Sequence, residues 1–162
     1  MQATVQPCRD ARLMLELARA CFTSDTWQLA HFETVLMEPS TQVHAIVVDG
    51  QAVGYAMSCH DANPRHNLPR GYYLLSLCIH PAYRGKRLGR RLLDAHLHAL
   101  VTSTKIQKIR LMVRASNTVA LTLYINTGWI KEKVCKGYYP ATPDAAAEDA
   151  VVMYTRPRLR FE

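Results

Sequence analysis

The spacing of apolar residues along the chain changes period several times, and each change predicts an element. Thr4 to Gln6 is a short strand-like stretch. From Asp10 to Phe22 the apolar residues recur at helical spacing, with Leu13, Leu17 and Cys21 on one face and Asp10 placed to cap the first turn. The linker Thr23-Ser24-Asp25 leads to a second helix from about Trp27 to Leu36. Val43 to Val48 is then a β-branched run, Asp49-Gly50 a two-residue turn, and Ala52 to Cys59 its partner strand. Residues 61–71, rich in proline, asparagine and aspartate, read as a loop. Tyr72 to His80 is almost continuously apolar, as a central strand buried on both faces would be, and Pro81 closes it.

The second half alternates between the two periods. Leu88 to Val101 is helical, with Arg90, Arg91, Asp94 and His98 as a polar stripe. Lys108 to Arg114 is a strand, and Asn117 caps a helix that stops at Gly128. Trp129 to Lys136 and Ala150 to Thr155 are two further strands, joined by a long loop that carries Gly137-Tyr138-Tyr139-Pro140. The order βααβββαβαββ implies a single α/β domain spanning residues 1–162, with a mixed central sheet covered by helices.

Composition narrows the field. With 49% hydrophobic and 20% charged residues, the 162-residue chain has the make-up of one globular domain. No apolar run reaches the roughly 18 residues of a membrane span, and the N-terminus lacks a secretory pattern, so the expected location is cytoplasmic, with no membrane partner. The cysteines (Cys8, Cys21, Cys59, Cys78 and Cys135) are scattered and odd in number, as buried free thiols would be. His96 and His98 sit two apart in a predicted helix, on different faces, so no metal site is expected. A net charge of +7 points to a polyanionic partner: a phosphorylated cofactor, a nucleic acid or a ribosome.

The most informative segment joins the buried strand to the next helix. In Arg84-Gly-Lys-Arg-Leu-Gly89 two glycines allow close backbone approach. The first N–H groups of a helix follow, and Arg84, Lys86, Arg87, Arg90 and Arg91 add positive charge. Such a loop is suited to cradle a diphosphate.

This loop resembles the Arg/Gln-x-x-Gly-x-Gly/Ala pyrophosphate motif of the GNAT N-acetyltransferases, matching at both ends but carrying Arg87 where the family has glycine. The likeness continues through Val113-Arg-Ala-Ser-Asn117 and on to Tyr124, then Thr127-Gly-Trp129, Gly137-Tyr-Tyr-Pro140 and Glu148-Asp-Ala150. These segments are similar to the bacterial ribosomal-protein alanine acetyltransferases and to the catalytic subunits of eukaryotic N-terminal acetyltransferases.

The resemblance implies a GNAT fold, with about seven strands and four helices, and direct acetyl transfer from acetyl-CoA to the N-terminal α-amine of a protein or peptide. The backbone of Leu77, Cys78 and Ile79 would pair with the pantetheine arm, and Arg84, Gly85, Lys86, Arg87, Leu88, Gly89 and Arg90 would hold the diphosphate. Asn117 would lie near the thiol, and Tyr124 would protonate the departing thiolate. Tyr138 and Tyr139 would cover the substrate, with Phe22, Thr23 and Ser24 as the opposite wall.

Relatives carry a glutamate or histidine base where this chain has Met112; Tyr73, acting through a water, is the expected substitute, ahead of His60 and His80. A site without a strong base favours α-amines, which are far less protonated than lysine at neutral pH. Three alternatives stand beside this reading. They are a small-molecule amine acetyltransferase, a weakly active acetyl-CoA-binding subunit of an acetyltransferase complex, and a nucleic-acid binder using the basic tail Arg156 to Arg160.

Overall fold

The computed structural model describes residues 1–22 and 27–158. Seven strands form one sheet in the order β1-β2-β3-β4-β5-β7-β6. They are β1 (Ala3–Pro7), β2 (Gln42–Val48), β3 (Gln51–Asp61), β4 (Gly71–Ile79), β5 (Ile109–Arg114), β6 (Ile130–Tyr139) and β7 (Glu148–Thr155). Four α-helices accompany them: α1 (Ala11–Cys21), α2 (Leu29–Met37), α3 (Leu88–Thr104) and α4 (Thr118–Asn126). Every neighbouring pair is antiparallel except β4 with β5.

Local chemistry accounts for the boundaries. The Asp10 carboxylate accepts from the backbone N–H groups of Arg12 and Leu13 at 3.1 Å, which starts α1. Asp49 and Gly50 both take positive φ, 49° and 85°, the geometry of a tight hairpin between β2 and β3. α3 packs Leu92, Leu93 and Leu100 onto one sheet face, against Leu74, Ile109 and Leu111. α1 and α2 cover the other face through Met14, Leu17 and Phe32, which meet Val43, Tyr55 and Met57.

Two elements depart from expectation. β6 runs on through Tyr139, so Tyr138 and Tyr139 end a strand rather than sit in a loop. The glycine that suggested a loop is a register break: Gly137 has φ 63°, pairing skips between Cys135 and Tyr139, and the Gly137 N–H donates to Asp149 Oδ1 at 2.9 Å. The other departure is His96, which lies wholly inside. Its Nε2 bonds the Ser58 hydroxyl and its Nδ1 the Nδ1 of His44, both at 2.7 Å, tying α3 to β2 and β3.

Burial holds His96 down to about pKa 3, and it also lowers His44. The unfolded chain would therefore bind a proton at His96 below about pH 6.5 that the folded chain refuses, so stability falls as pH falls. Urea denaturation at pH 7 and pH 5 is expected to differ by about 2 kcal/mol from this residue alone. Equal midpoints would contradict that burial.

Gly54 on β3 has no room for a side chain. A Cβ there would stand 2.4 Å from the Cys78 carbonyl oxygen and 2.6 Å from Ile79 Cδ1. Gly54→Ala is expected to cost about 1–3 kcal/mol and to displace the end of β4. Thermal denaturation checks the first effect, and a crystal structure of the variant the second.

Among the described residues no helix is long and apolar enough to cross a membrane. Nor does any group of three or more His, Cys, Asp or Glu side chains gather as metal ligands. All five cysteines are free.

Candidate active site

The sheet opens at the parallel pair of β4 and β5. β4 and β5 are joined at Tyr72 with Ile109 and Tyr73 with Arg110, and pairing ends there. Beyond that point β4 keeps its bonds to β3 but has none to β5, so its other edge is free to pair with an extended ligand. Leu74 to Leu77 and Leu111 to Arg114 line a cleft of about 230 Å³ between the diverging strands. Asn117 and Tyr124 from α4 also line it, joined by Phe22, Trp27 and Tyr139.

At the end of β4 lies the basic loop. A single 3-10 turn, Pro81–Tyr83, leads to Arg84, whose Nε donates to the Ile79 carbonyl at 3.1 Å and pins the loop to the strand. Gly85 and Arg87 adopt left-handed φ, 78° and 59°. The position where the family has glycine thus keeps a glycine-like backbone here, although a side chain at such φ is strained.

Arg87 caps α3 with its backbone only and no side-chain bond, leaving first-turn N–H groups of α3 to donate to an anion. Gly85 faces open space, with nothing within 4 Å of where a Cβ would stand, whereas a Cβ at Gly89 would touch Ile79 and Leu123 at 3.7 and 3.8 Å. The donors, charges and open backbone fit a diphosphate. A broader groove of about 860 Å³ continues along α3 past Arg90 and Arg91 to Arg156 and Arg158. Arg160 of the basic tail lies outside the described residues.

Of the residues expected to do chemistry, Asn117 and Tyr124 reach the cleft. Asn117 caps α4, accepting from the Ala120 N–H at 3.1 Å. Tyr124 is buried and packs on Trp129 at 5.5 Å. Burial, and after it the neighbouring Tyr139, raises its phenol above the usual range, so it stays protonated and able to donate at any working pH.

Tyr73 is placed elsewhere. Its ring is buried with Leu68 and Val152, and its hydroxyl donates to the Pro69 carbonyl at 2.6 Å. It does not line the cleft, and burial pushes it up to about 12, so its proton holds the 61–71 loop instead of shuttling.

His60 meets Tyr72 edge-on at 5.4 Å, and His80 accepts from the Ala82 N–H at 3.1 Å, capping the 3-10 turn. Met112 does line the cleft. Cys78 is buried beside the free thiol of Cys21; its thiol, with Arg84 nearby, holds Cys21 down to about 7, outside the cleft lining.

On the substrate side, the two tyrosines divide. Tyr139 lines the cleft, with the Arg114 guanidinium 4.0 Å from its ring centre. Arg114 is held in turn by Glu148 at 3.1 Å, whose other oxygen accepts from the Ser116 N–H at 2.8 Å. Tyr138 instead stacks on His66 at 4.6 Å. Phe22 is 37% exposed at the end of α1 and lines the cleft; Thr23 and Ser24 lie outside the described residues. Trp27, Phe32, Tyr55, Leu75 and Arg114 also line it, and none was singled out from sequence. Each reads there as an ordinary core or strand residue.

A mixed sheet split at its parallel pair, with a basic glycine-bearing loop at the end of one diverging strand, makes a site suited to an extended, phosphorylated ligand. Residues 11–129 match the Acetyltransferase (GNAT) family, and the chain belongs to it. It is 32% identical over 112 residues to an N-alpha-acetyltransferase of Saccharolobus solfataricus, covering 66% of this chain and 64% of that protein. It is 31% identical over 132 residues to the N-alpha-acetyltransferase RimI of Mycobacterium tuberculosis, covering 80% and 78%.

A shorter match, 36% identical over 80 residues, covers 49% of this chain and 54% of the ribosomal protein bS18-alanine N-acetyltransferase of Haemophilus ducreyi. The chain thus spans between about half and two thirds of the length of the first and last of these relatives. The fold matches the crystal structure of the ribosomal-protein-S18-alanine N-acetyltransferase from Escherichia coli with a TM-score of 0.81, at 21% identity, covering 99% of this chain and 97% of that one.

Proposed function

We propose that the protein transfers an acetyl group from acetyl-CoA directly to the N-terminal α-amine of a peptide or protein. The observation that carries this reading is the cleft at the β4–β5 split. It is lined by Asn117 and Tyr124 together with Phe22, Trp27 and Tyr139, and its described lining holds neither a carboxylate nor an imidazole. The names of the relatives point the same way.

When bound, acetyl-CoA supplies the thioester carbon that the amine attacks. The free edge of β4 around Leu77 would bind and align the pantetheine amides, and the Gly85–Arg90 backbone and side chains would hold the diphosphate. Asn117 stands at the head of α4 with Tyr124 two turns below on the same face, where the phenol would give its proton to the departing sulfur and regain one, through water, from the nitrogen as the amide forms. The described lining, with Met112 and no carboxylate, offers nothing to hold a charged amine, so the substrate reacts as the free base.

Direct transfer is tested by intact-protein mass spectrometry. Acetyl-CoA alone is expected to leave the mass of the protein unchanged, with CoA released only once peptide is added. An acetylated protein that passes its acetyl group on to peptide would contradict the scheme.

A further inference from the structure

We infer that the enzyme selects peptides whose first residue carries a bulky apolar side chain, such as methionine, leucine or phenylalanine, over those beginning with alanine, serine or aspartate. This rests on the N-terminal acetylation proposed above. The first side chain of a peptide is one carbon from its α-amine. An amine positioned for the cofactor between Leu77 and Tyr124 therefore places that side chain against the rest of the same cleft.

The accessible rings of that remainder are Phe22, 37% exposed, and the half-buried Trp27. Trp27 packs at a tilt on Phe32 at 5.3 Å, and Phe32 meets Tyr55 edge-on at 6.2 Å. Phe32 and Tyr55 are each only 1% exposed, so they hold Trp27 from behind and its surface costs little to organise. Leu75 and Met112 form the facing surface, and methionine adapts its shape to a long side chain.

Among the described residues, the side-chain polar groups of Tyr55 and Arg114 at this end are already engaged. The Tyr55 hydroxyl bonds Ser76 Oγ at 2.9 Å, and the Arg114 guanidinium is held by Glu148. A serine or aspartate side chain would thus lose water and gain no strong partner. A methyl group would leave the rings uncovered.

The test is a set of peptides of one sequence differing only at the first residue (Met, Leu, Phe, Ala, Ser or Asp), with kcat/KM measured for each at saturating acetyl-CoA. Met, Leu or Phe is expected to exceed Ala and Ser by about 10- to 100-fold. In Trp27→Ala the Met-to-Ala ratio should fall about tenfold. A ratio between two substrates on one sample is insensitive to the fraction of variant that is folded.

Equal or greater turnover of the Ala and Ser peptides would overturn the inference and leave N-terminal acetylation standing. So would a Met-to-Ala ratio that Trp27→Ala does not move. No α-amine product from any peptide, with acetyl-CoA binding intact, would remove the proposed function and the selectivity with it.

Discussion

Tyr124→Phe is expected to lower kcat about 100-fold, equivalent to about 2.7 kcal/mol of transition-state stabilisation, while changing acetyl-CoA affinity little. The reasoning is local. Tyr124 is buried beside Trp129 and lines the cleft, and phenylalanine preserves that packing. On the proposed mechanism the substitution removes the one hydroxyl that would protonate the departing sulfur. Because the phenol lies above its usual pKa range, it keeps its proton at every working pH and its own ionisation does not shape the pH profile. A variant with unchanged kcat would mean that the leaving group takes its proton from solvent. A variant that fails to fold would show in its circular dichroism.

The second large effect is selectivity among amines. An α-amine with a pKa of about 7.8 and a lysine of about 10.4 differ about 300-fold in neutral fraction at pH 7. A cleft whose described lining offers no carboxylate or imidazole passes that difference on to kcat/KM. For a peptide α-amine, kcat/KM should rise about tenfold per pH unit up to about 7.8 and then level off.

Above that point the groups lining the cleft add no falling limb. Burial pushes Tyr139 up to about 12 and holds Tyr124 and Tyr55 above the usual phenol range. Cys21, down near 7, sits behind β4 and does not line the cleft. A profile that turned over near pH 6, or one independent of the pKa of the substrate amine, would reveal an enzyme base.

The architecture was legible because its signals are local. The Asp49-Gly50 turn, the Asp10 and Asn117 caps, and the almost continuous apolar run of β4 each specify an element with no help from the rest of the chain. The basic loop was legible for the same reason, and its departure at Arg87 proves to be a side chain carried on a glycine-like backbone.

What the sequence hides is what depends on how the sheet opens. Because β4 and β5 part after two residue pairs, Leu75, Trp27, Phe32 and Arg114 become cleft residues, although their spacing marks them only as core or strand. The same sheet turns Tyr73 away to bond Pro69 and buries His96 among polar partners from β2 and β3. A histidine on a helix gives no sign of that from spacing alone.

The most direct test of the central claim uses one peptide with a methionine at its free N-terminus and an internal lysine, incubated with acetyl-CoA and the protein at pH 7. Tandem mass spectrometry then locates the acetyl group, with Tyr124→Phe run in parallel. The account predicts acetylation of the α-amine, none detectable on the lysine, and a product rate about 100-fold lower in the variant. Acetylation confined to the lysine, or an α-amine product that Tyr124→Phe leaves undiminished, would contradict it.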